Sequence, residues 1–504
     1  MQERIGIIDL GSNTTRLIVM AYQPHLCFKL VDEVSETVRL AEGVGTDGML
    51  KPRPMQRAIE ALKMFYSFCR ATGVHQIVAV GTSAIREATN QADFLHLLQQ
   101  ETDLDLRILS GEEEAYYGYL GVINSLPFSD GFVIDIGGGS AEVTAVRGRA
   151  FGNSISQQAG AVRFTERFVH SDPISKKEFR ALEQGAAAVF ADLDWFSASA
   201  GPVLVGIGGT VRNLARIDQK RRHYPLDRLH SYRLTYQALE EIVDILRNSS
   251  LYERESLPGL NRERADIILA GAVILRQSML QGGFSELLVS GQGLREGLFY
   301  EHFLAGQKVP LFSDKRAFSV QNLALVHNYE ELHALKVREL SLSLFDQLQA
   351  LHGYGLWERE LLSYGAILHD IGVEVGYYDH HKHSAYLILN AALLGFTHRE
   401  IVLLAMLARY HRKGSINVSE YRAILADDDE ERLSRLSALL RIAEYLERSK
   451  SQVVRALRVT IKDSGIKIHV QASGDATVEV WDANRRTSLF KKAFGREVEI
   501  VIGE

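Results

Sequence analysis

Two short segments place an aspartate at the end of an apolar run and follow it with small residues: Ile7-Ile8-Asp9-Leu10-Gly11-Ser12-Asn13 and Val133-Ile134-Asp135-Ile136-Gly137-Gly138-Gly139-Ser140. Short apolar runs bounded by glycine read as buried strands. A carboxylate at the strand end then sits beside a turn whose backbone N–H groups approach an anion closely, because glycine lacks the Cβ that would hold a phosphate off. Two such turns facing one another make a cleft for phosphate and a divalent cation. Asp9 and Asp135 supply the hard oxygen ligands that Mg2+ takes. A single aspartate–glycine turn is also an ordinary hairpin connection; the matched pair points to chemistry.

A third turn repeats the pattern. Val203-Leu204-Val205-Gly206-Ile207 reads as a strand running into Gly208-Gly209-Thr210, which opens a helix and suits a more distal phosphate or a nucleotide. Gly81-Thr82-Ser83 follows the buried strand Gln76–Val80 in the same way. Ser110-Gly111-Glu112-Glu113-Glu114 carries three successive carboxylates. Ser110 caps a helix well and acids suit its first turn, so a solvated helix start and an acid–base group are both open to them. Basic residues gather at Arg163/Arg167, Arg212/Arg216, Lys220-Arg221-Arg222-His223 and Arg262/Arg264. Each cluster alone is ordinary solvated surface; together they would lead a polyanion away from the cleft.

Later in the chain the chemistry changes. Nine of the 17 histidines lie between His327 and His411, and His369-Asp370 closes a helix whose apolar face includes Leu361, Leu362 and Leu368. Imidazole and carboxylate from separate helices suit Zn2+, Mn2+ or Fe2+. His333 lies one turn before Val337 on an apolar stripe and equally suits a core position, while His380-His381-Lys382-His383 equally suits a polar loop.

These groups need scaffolds, and 504 residues exceed what one hydrophobic core organises. Residues 1–125 and 126–300 each start from the strand–turn–strand pattern and continue in strand–helix alternation, with a boundary at the turn-rich Leu126–Gly131; they read as a duplicated α/β domain. Residues 301–457 form long amphipathic helices, with Val337, Leu340, Leu344, Leu348 and Leu351 in one stripe. The acidic run Asp427–Glu431 sits at the positive end of a helix through Arg448. Residues 458–504 alternate at Val459/Ile461, Ile466/Ile468/Val470 and Val498/Ile500/Ile502, which reads as a small antiparallel sheet.

Bulk properties set the class. With 46% hydrophobic residues and nine prolines the chain is an ordinary globular one, and its net charge of −6 excludes a globally basic nucleic-acid binder. Two cysteines, Cys27 and Cys69, give neither a disulfide framework nor metal-ligand spacing. No apolar run approaches the roughly 18–20 residues that span a bilayer, and Met1-Gln2-Glu3-Arg4 leads straight into a strand, so a cytoplasmic protein without membrane or nucleic-acid partners is expected.

Six ordered motifs carry a specific resemblance: Asp9 to Thr14, Gly81 to Arg86, Ser110 to Ala115, Asp135 to Ser140, Gly208-Gly209-Thr210, and Leu294-Arg295-Glu296-Gly297. Over residues 1–300 the chain resembles the exopolyphosphatase/guanosine pentaphosphate phosphatase family, of the same superfamily as actin and sugar kinases. That resemblance implies two ribonuclease-H-like domains with the active site between them, and metal-dependent hydrolysis of a phosphoanhydride. Inorganic polyphosphate is then the expected substrate, with guanosine penta- or tetraphosphate as the alternative ligand and a non-catalytic sensor of either as a third reading. Mg2+ and a monovalent cation are the expected cofactors.

Carried onto this sequence, the motif implies Glu114 as the group that orients or deprotonates water, with Glu113 as its neighbour. Arg86 is expected on a phosphate, because guanidinium presents paired donors. Gly11, Ser12, Asn13, Thr14 and Gly137 through Ser140, including Gly138 and Gly139, are expected to cradle the terminal phosphates. The helical region resembles an HD-type metal-dependent phosphohydrolase domain, which implies a transition-metal site from His333, His369, Asp370, His383, His411 and Glu444. One departure matters: Arg441-Ile442-Ala443-Glu444 carries glutamate where that pattern has aspartate. The helical and β-rich regions offer surface for a homodimer.

Overall fold

In the computed structural model, residues 3–44, 47–463 and 465–503 are described. Met1 and Gln2, expected to lead into the first strand, lie outside the described residues. The chain divides into two compact units that meet between Ser313 and Asp314.

The first unit holds two sheets built on one plan. In the first sheet, β1 (Glu3–Leu10) forms an antiparallel hairpin with β2 (Thr14–Gln23), β3 (Cys27–Thr37) extends it, and β4 (Gln76–Gly81) and β5 (Leu106–Ile108) add in parallel on the other side. The second sheet repeats this with the hairpin β6 (Gly131–Ile136) and β7 (Ala141–Arg147), then β8 (Ala150–Gln157) on one side and β9 (Leu204–Ile207) on the other. Beyond β9 comes β11 (Glu286–Val289), parallel to β9, and then β10 (Tyr232–Thr235) at the sheet edge, antiparallel to β11.

Strands β1 and β6 read as unbroken apolar runs because both faces are covered: Ile5, Ile7, Ile8, Phe132, Ile134 and Ile136 are fully buried. The helix Pro52–Ala71 lays Ile59, Leu62 and Phe65 into the first core. The helix Ile268–Gly282 is apolar almost all round and runs through the second. Each aspartate is the penultimate residue of its strand, so sheet register delivers both carboxylates to equivalent positions.

Two further helices of this unit pack backbone to backbone. A Cβ on Gly121 of the helix Gly111–Ile123 would collide with the Gly293 carbonyl, and one on Gly297 of the helix Leu294–Phe303 with the Tyr117 carbonyl. Glycine on both sides permits the approach.

The second unit is mainly helical. Its core helices are Glu331–Gln347, Leu356–Leu368, His380–Asn390, His398–Tyr410 and Asp429–Leu446. The stripe expected from Val337 to Leu351 is divided at Leu348, where the first of these helices ends and the short helix Gln349–His352 begins. Asp429 does more than complement a helix dipole: it is fully buried and held by Arg399 and Arg432.

At the C-terminal end, β12 (Val454–Lys462) and β13 (Gly465–Ala472) are antiparallel as expected, but β14 (Val498–Ile502) lies parallel to β13. The helices Thr477–Asn484 and Ser488–Phe494 make the crossover that a parallel pairing demands. Side-chain alternation marks the strands but carries no information about their direction. No helix of the described residues is long and apolar enough to cross a membrane.

Candidate active site and metal centre

The two hairpin turns close identically. The Gly11 N–H donates to the Thr14 carbonyl at 3.3 Å, and the Gly137 N–H to the Ser140 carbonyl at 2.9 Å. Together they wall a cavity of about 120 Å3 lined by Asp9, Ser12, Asn13, Thr14, Asp135, Gly138 and Ser140, with Gly208, Gly209 and Glu114 on further sides. Gly208 sits at φ +85° with a Cβ position that would overlap Asp135 Oδ1, so the turn after β9 passes this close to the carboxylate only as glycine.

Opposite each aspartate the two hairpins diverge. Asp9 pairs across the ladder with Arg16, Asp135 with Glu142. Burial holds Asp9 above the usual carboxylate range and pushes Asp135 up to about 6. Burial and then Asp135 push Glu142 up to about 7; its Oε1 accepts from the Ser156 hydroxyl at 2.7 Å, while its Oε2 is buried without a hydrogen-bond partner among the described residues. Glu114 lines the cavity with Arg86 Nη1 at 2.9 Å from its Oε2, and burial, then Glu142, raise it well above 4.5.

Four arginines face these acids. Arg16, Arg212, Arg264 and Arg295 line the cavity. Burial, and then one another's charge, pull Arg16 down to about 10 and lower Arg212; burial and then Arg16 pull Arg264 to about 10. Buried cations that repel each other are stabilised by an incoming polyanion. The sequence offers Arg212 and Arg264 either as solvated surface or as part of a basic path for a polyanion, and singles out neither Arg16 nor Glu142. The signal lay in the ladder, where both occupy the position facing an aspartate. The other basic runs behave as ordinary surface: Lys220, Arg221 and Arg222 pair with Asp227, Glu241 and Asp218.

Several expected residues have partners within the protein. Arg86 donates to the Leu109 carbonyl at 3.0 Å and to Glu114 Oε2 at 2.9 Å, which holds it beside a glutamate of the cavity wall. Glu113 accepts from the Ser110 N–H and pairs with Arg107 in the capping box of its helix, half exposed and away from the cavity. Thr210 donates its hydroxyl to the Ile136 carbonyl at 3.1 Å, and Gly139 packs against the Ser12 and Ser83 hydroxyls, which are 2.9 Å apart.

In the second unit, residues from five helices or their ends meet in buried clusters capable of holding metal: His333, His369, Asp370 and Glu444 in one, Asp370, His380 and His411 in another. His369 Nε2 lies 3.0 Å and His333 Nε2 3.2 Å from Glu444 Oε2, so the longer glutamate reaches the centre despite the departure noted from sequence. His383 is not a member. His380, at the first position of its helix, takes that place; three residues on, His383 is rotated and carried about 4.5 Å along the axis.

Paired glycine turns, an arginine-lined cavity and a glutamate on its wall suit the chemistry of a phosphate-cleaving enzyme. Comparison with known proteins makes the class specific. The model of the Ppx/GppA phosphatase family matches residues 18–305, and that of the Ppx/GppA phosphatase domain III matches residues 316–486. This chain belongs to the Ppx/GppA phosphatase family, and it is a hydrolase of the exopolyphosphatase type.

A guanosine-5'-triphosphate,3'-diphosphate pyrophosphatase of Vibrio vulnificus is 28% identical over 504 residues, covering 96% of each chain. Among solved structures, an exopolyphosphatase from Cytophaga hutchinsonii is 25% identical with a TM-score of 0.56, covering 60% of this chain and 98% of its own. A Ppx/GppA family member from Aquifex aeolicus is 28% identical with a TM-score of 0.53, covering 61% and 100%.

Proposed function

We propose that the cleft removes terminal orthophosphate from inorganic polyphosphate. The observation that carries this is one cavity lined by four arginines, two strand-end aspartates and Glu114 together with the paired turns. The turns seat the terminal phosphate, and the arginines neutralise the charge spread over the transferred phosphoryl group. Glu114 takes a proton from water as its oxygen bonds to the terminal phosphorus and the bridging P–O bond breaks, the shortened chain leaving with the electron pair. A raised carboxyl suits that role, because a base works best with a pKa near the working pH.

The donor set fits a hard divalent cation: the Asp9 and Asp135 carboxylates line the cavity, and Glu142 Oε2, opposite Asp135 on the ladder, has no hydrogen-bond partner among the described residues. Mg2+ held there would supply charge neutralisation on the phosphate oxygens. The two sheets of matching order support a reading as ribonuclease-H-like domains, with boundaries near residues 125 and 300. In the helical unit, His369-Asp370 with His333 and Glu444 supports an HD-type site for a transition metal.

A second reading has its own support. The Vibrio vulnificus pyrophosphatase is similar across 96% of the chain, which favours the 5′ γ-phosphate of guanosine pentaphosphate as substrate of the same cleft. Phosphate release from long-chain polyphosphate and from guanosine pentaphosphate, at equal phosphate concentration with Mg2+, tests both. A larger kcat/KM on the polymer is expected. Release from guanosine pentaphosphate alone would overturn the first reading in favour of the second, and release from neither would overturn both.

A further inference from the structure

We propose that Asn213 is a positioning residue of the cleft: its side-chain amide ties the turn after β9 to the turn that carries Arg264, and so sets where that guanidinium stands. This rests on the reading of the cleft as a phosphate site in which Arg264 meets the substrate. Asn213 lies on the helix Gly208–Arg221, which the turn after β9 opens, and only 5% of it is exposed. Its Nδ2 donates to the Gly209 carbonyl at 2.8 Å, and its Oδ1 accepts from the Asn261 N–H at 2.8 Å. A carbonyl only accepts and an N–H only donates, so these two partners fix which way the amide faces. The first bond is a return to the helix's own preceding turn. The second crosses 48 residues of chain.

Asn261 starts the element that delivers Arg264. It caps the 3-10 helix Arg262–Arg264, with its Oδ1 accepting from the Glu263 N–H at 3.1 Å and its carbonyl from the Arg264 N–H at 2.9 Å. The far end of Arg264 then returns to the same glycine. A Cβ on Gly209 would overlap the Arg264 guanidinium, so the guanidinium lies directly against the Gly209 backbone. Arg264 is thereby referred to one peptide at both ends, its backbone through Asn213 and its guanidinium by contact. Gly209 and Arg264 both line the cavity.

Only an amide of this length meets both demands. Asn213→Asp keeps an oxygen for the Asn261 N–H but turns the other toward the Gly209 carbonyl, where two acceptors repel. Asn213→Leu, of similar size, withdraws the partner from both backbone groups. Either change releases the Asn261 turn from the helix, and a shift of about 1 Å in a charged group is enough to cost a large part of its effect on a reacting phosphate.

The test is a double-mutant cycle in the full chain with Mg2+: Asn213→Leu, Arg264→Gln and the two together. Phosphate release is measured on whichever of polyphosphate and guanosine pentaphosphate the wild-type chain cleaves. Each single change should lower kcat/KM about 10–100-fold, with the same division between kcat and KM. Adding Asn213→Leu to Arg264→Gln should cost no more than about twofold further. An Arg264→Gln chain with undiminished kcat/KM would overturn the phosphate reading of Arg264 and the proposal with it. A costly Arg264→Gln, with Asn213→Leu costing the same factor in both backgrounds or nothing in either, would overturn the positioning role alone. Asn213→Asp, isosteric with the native side chain, runs the same cycle with circular dichroism as a check on folding, so a leucine variant that fails to fold leaves the answer intact.

Discussion

Glu113 and Glu114 are neighbours in sequence with opposite circumstances: one caps a helix at the surface, the other is buried against Arg86 on the cavity wall. Glu114→Gln keeps the shape and removes the base, so kcat should fall about 10²–10⁴-fold while KM for polyphosphate changes little. A steady-state assay in which kcat holds would show that Glu114 is not the base. Glu142 makes a prediction about pH. Folding raises its carboxyl from 4.5 to about 7, so the folded chain binds that proton more tightly than the unfolded one. Its contribution to stability is present below about pH 4.5 and lost as pH rises through 7. Metal-free wild type should therefore lose stability relative to Glu142→Gln across that window in denaturant titrations, and equal slopes would contradict it. The sequence exposed Glu114 through a local motif. It hid Glu142 and Arg16 because what marks them is a ladder partner, not a neighbour in the chain.

The helix Gly111–Ile123 carries Glu114 on its first turn, and its placement depends on its cap and on its packing. Glu113→Ala removes half of the capping box and should cost about 1 kcal/mol of stability while leaving kcat intact, separating the two glutamates by denaturation and assay of one variant. Gly297→Ala should act oppositely. Its Cβ would strike the Tyr117 carbonyl, forcing the helices apart at a cost of about 1–3 kcal/mol, and moving Glu114 should lower kcat well beyond any change in KM. A variant with normal kcat would show that this packing does not set the glutamate's position. Element identity was legible wherever periodicity and turn chemistry are local, as in β1, β2, β6 and β7. The direction of β14 and the break at Leu348 were not, since pairing partners and helix ends are chosen by packing.

The two compact units divide the chemistry, phosphate turns in one and histidine clusters in the other. Calorimetry should resolve this. Tripolyphosphate at about 100 times its dissociation constant should stabilise the first unit by about 2.7 kcal/mol and raise its transition. A strong chelator should lower the transition of the second and leave the first in place. A single transition that responds equally to both reagents would contradict the division. By itself, the sequence determined the duplicated strand–turn–strand plan, both strand-end aspartates and the metal-prone histidine region, because each is written in residues a few positions apart. Only the tertiary structure decided which arginines reach the cleft, that Arg86 pairs with Glu114, that His380 rather than His383 joins Asp370, and that Glu444 reaches where a shorter aspartate was expected. Those choices depend on where distant helices and strands bring side chains within a few ångströms, a distance that spacing along the chain does not encode.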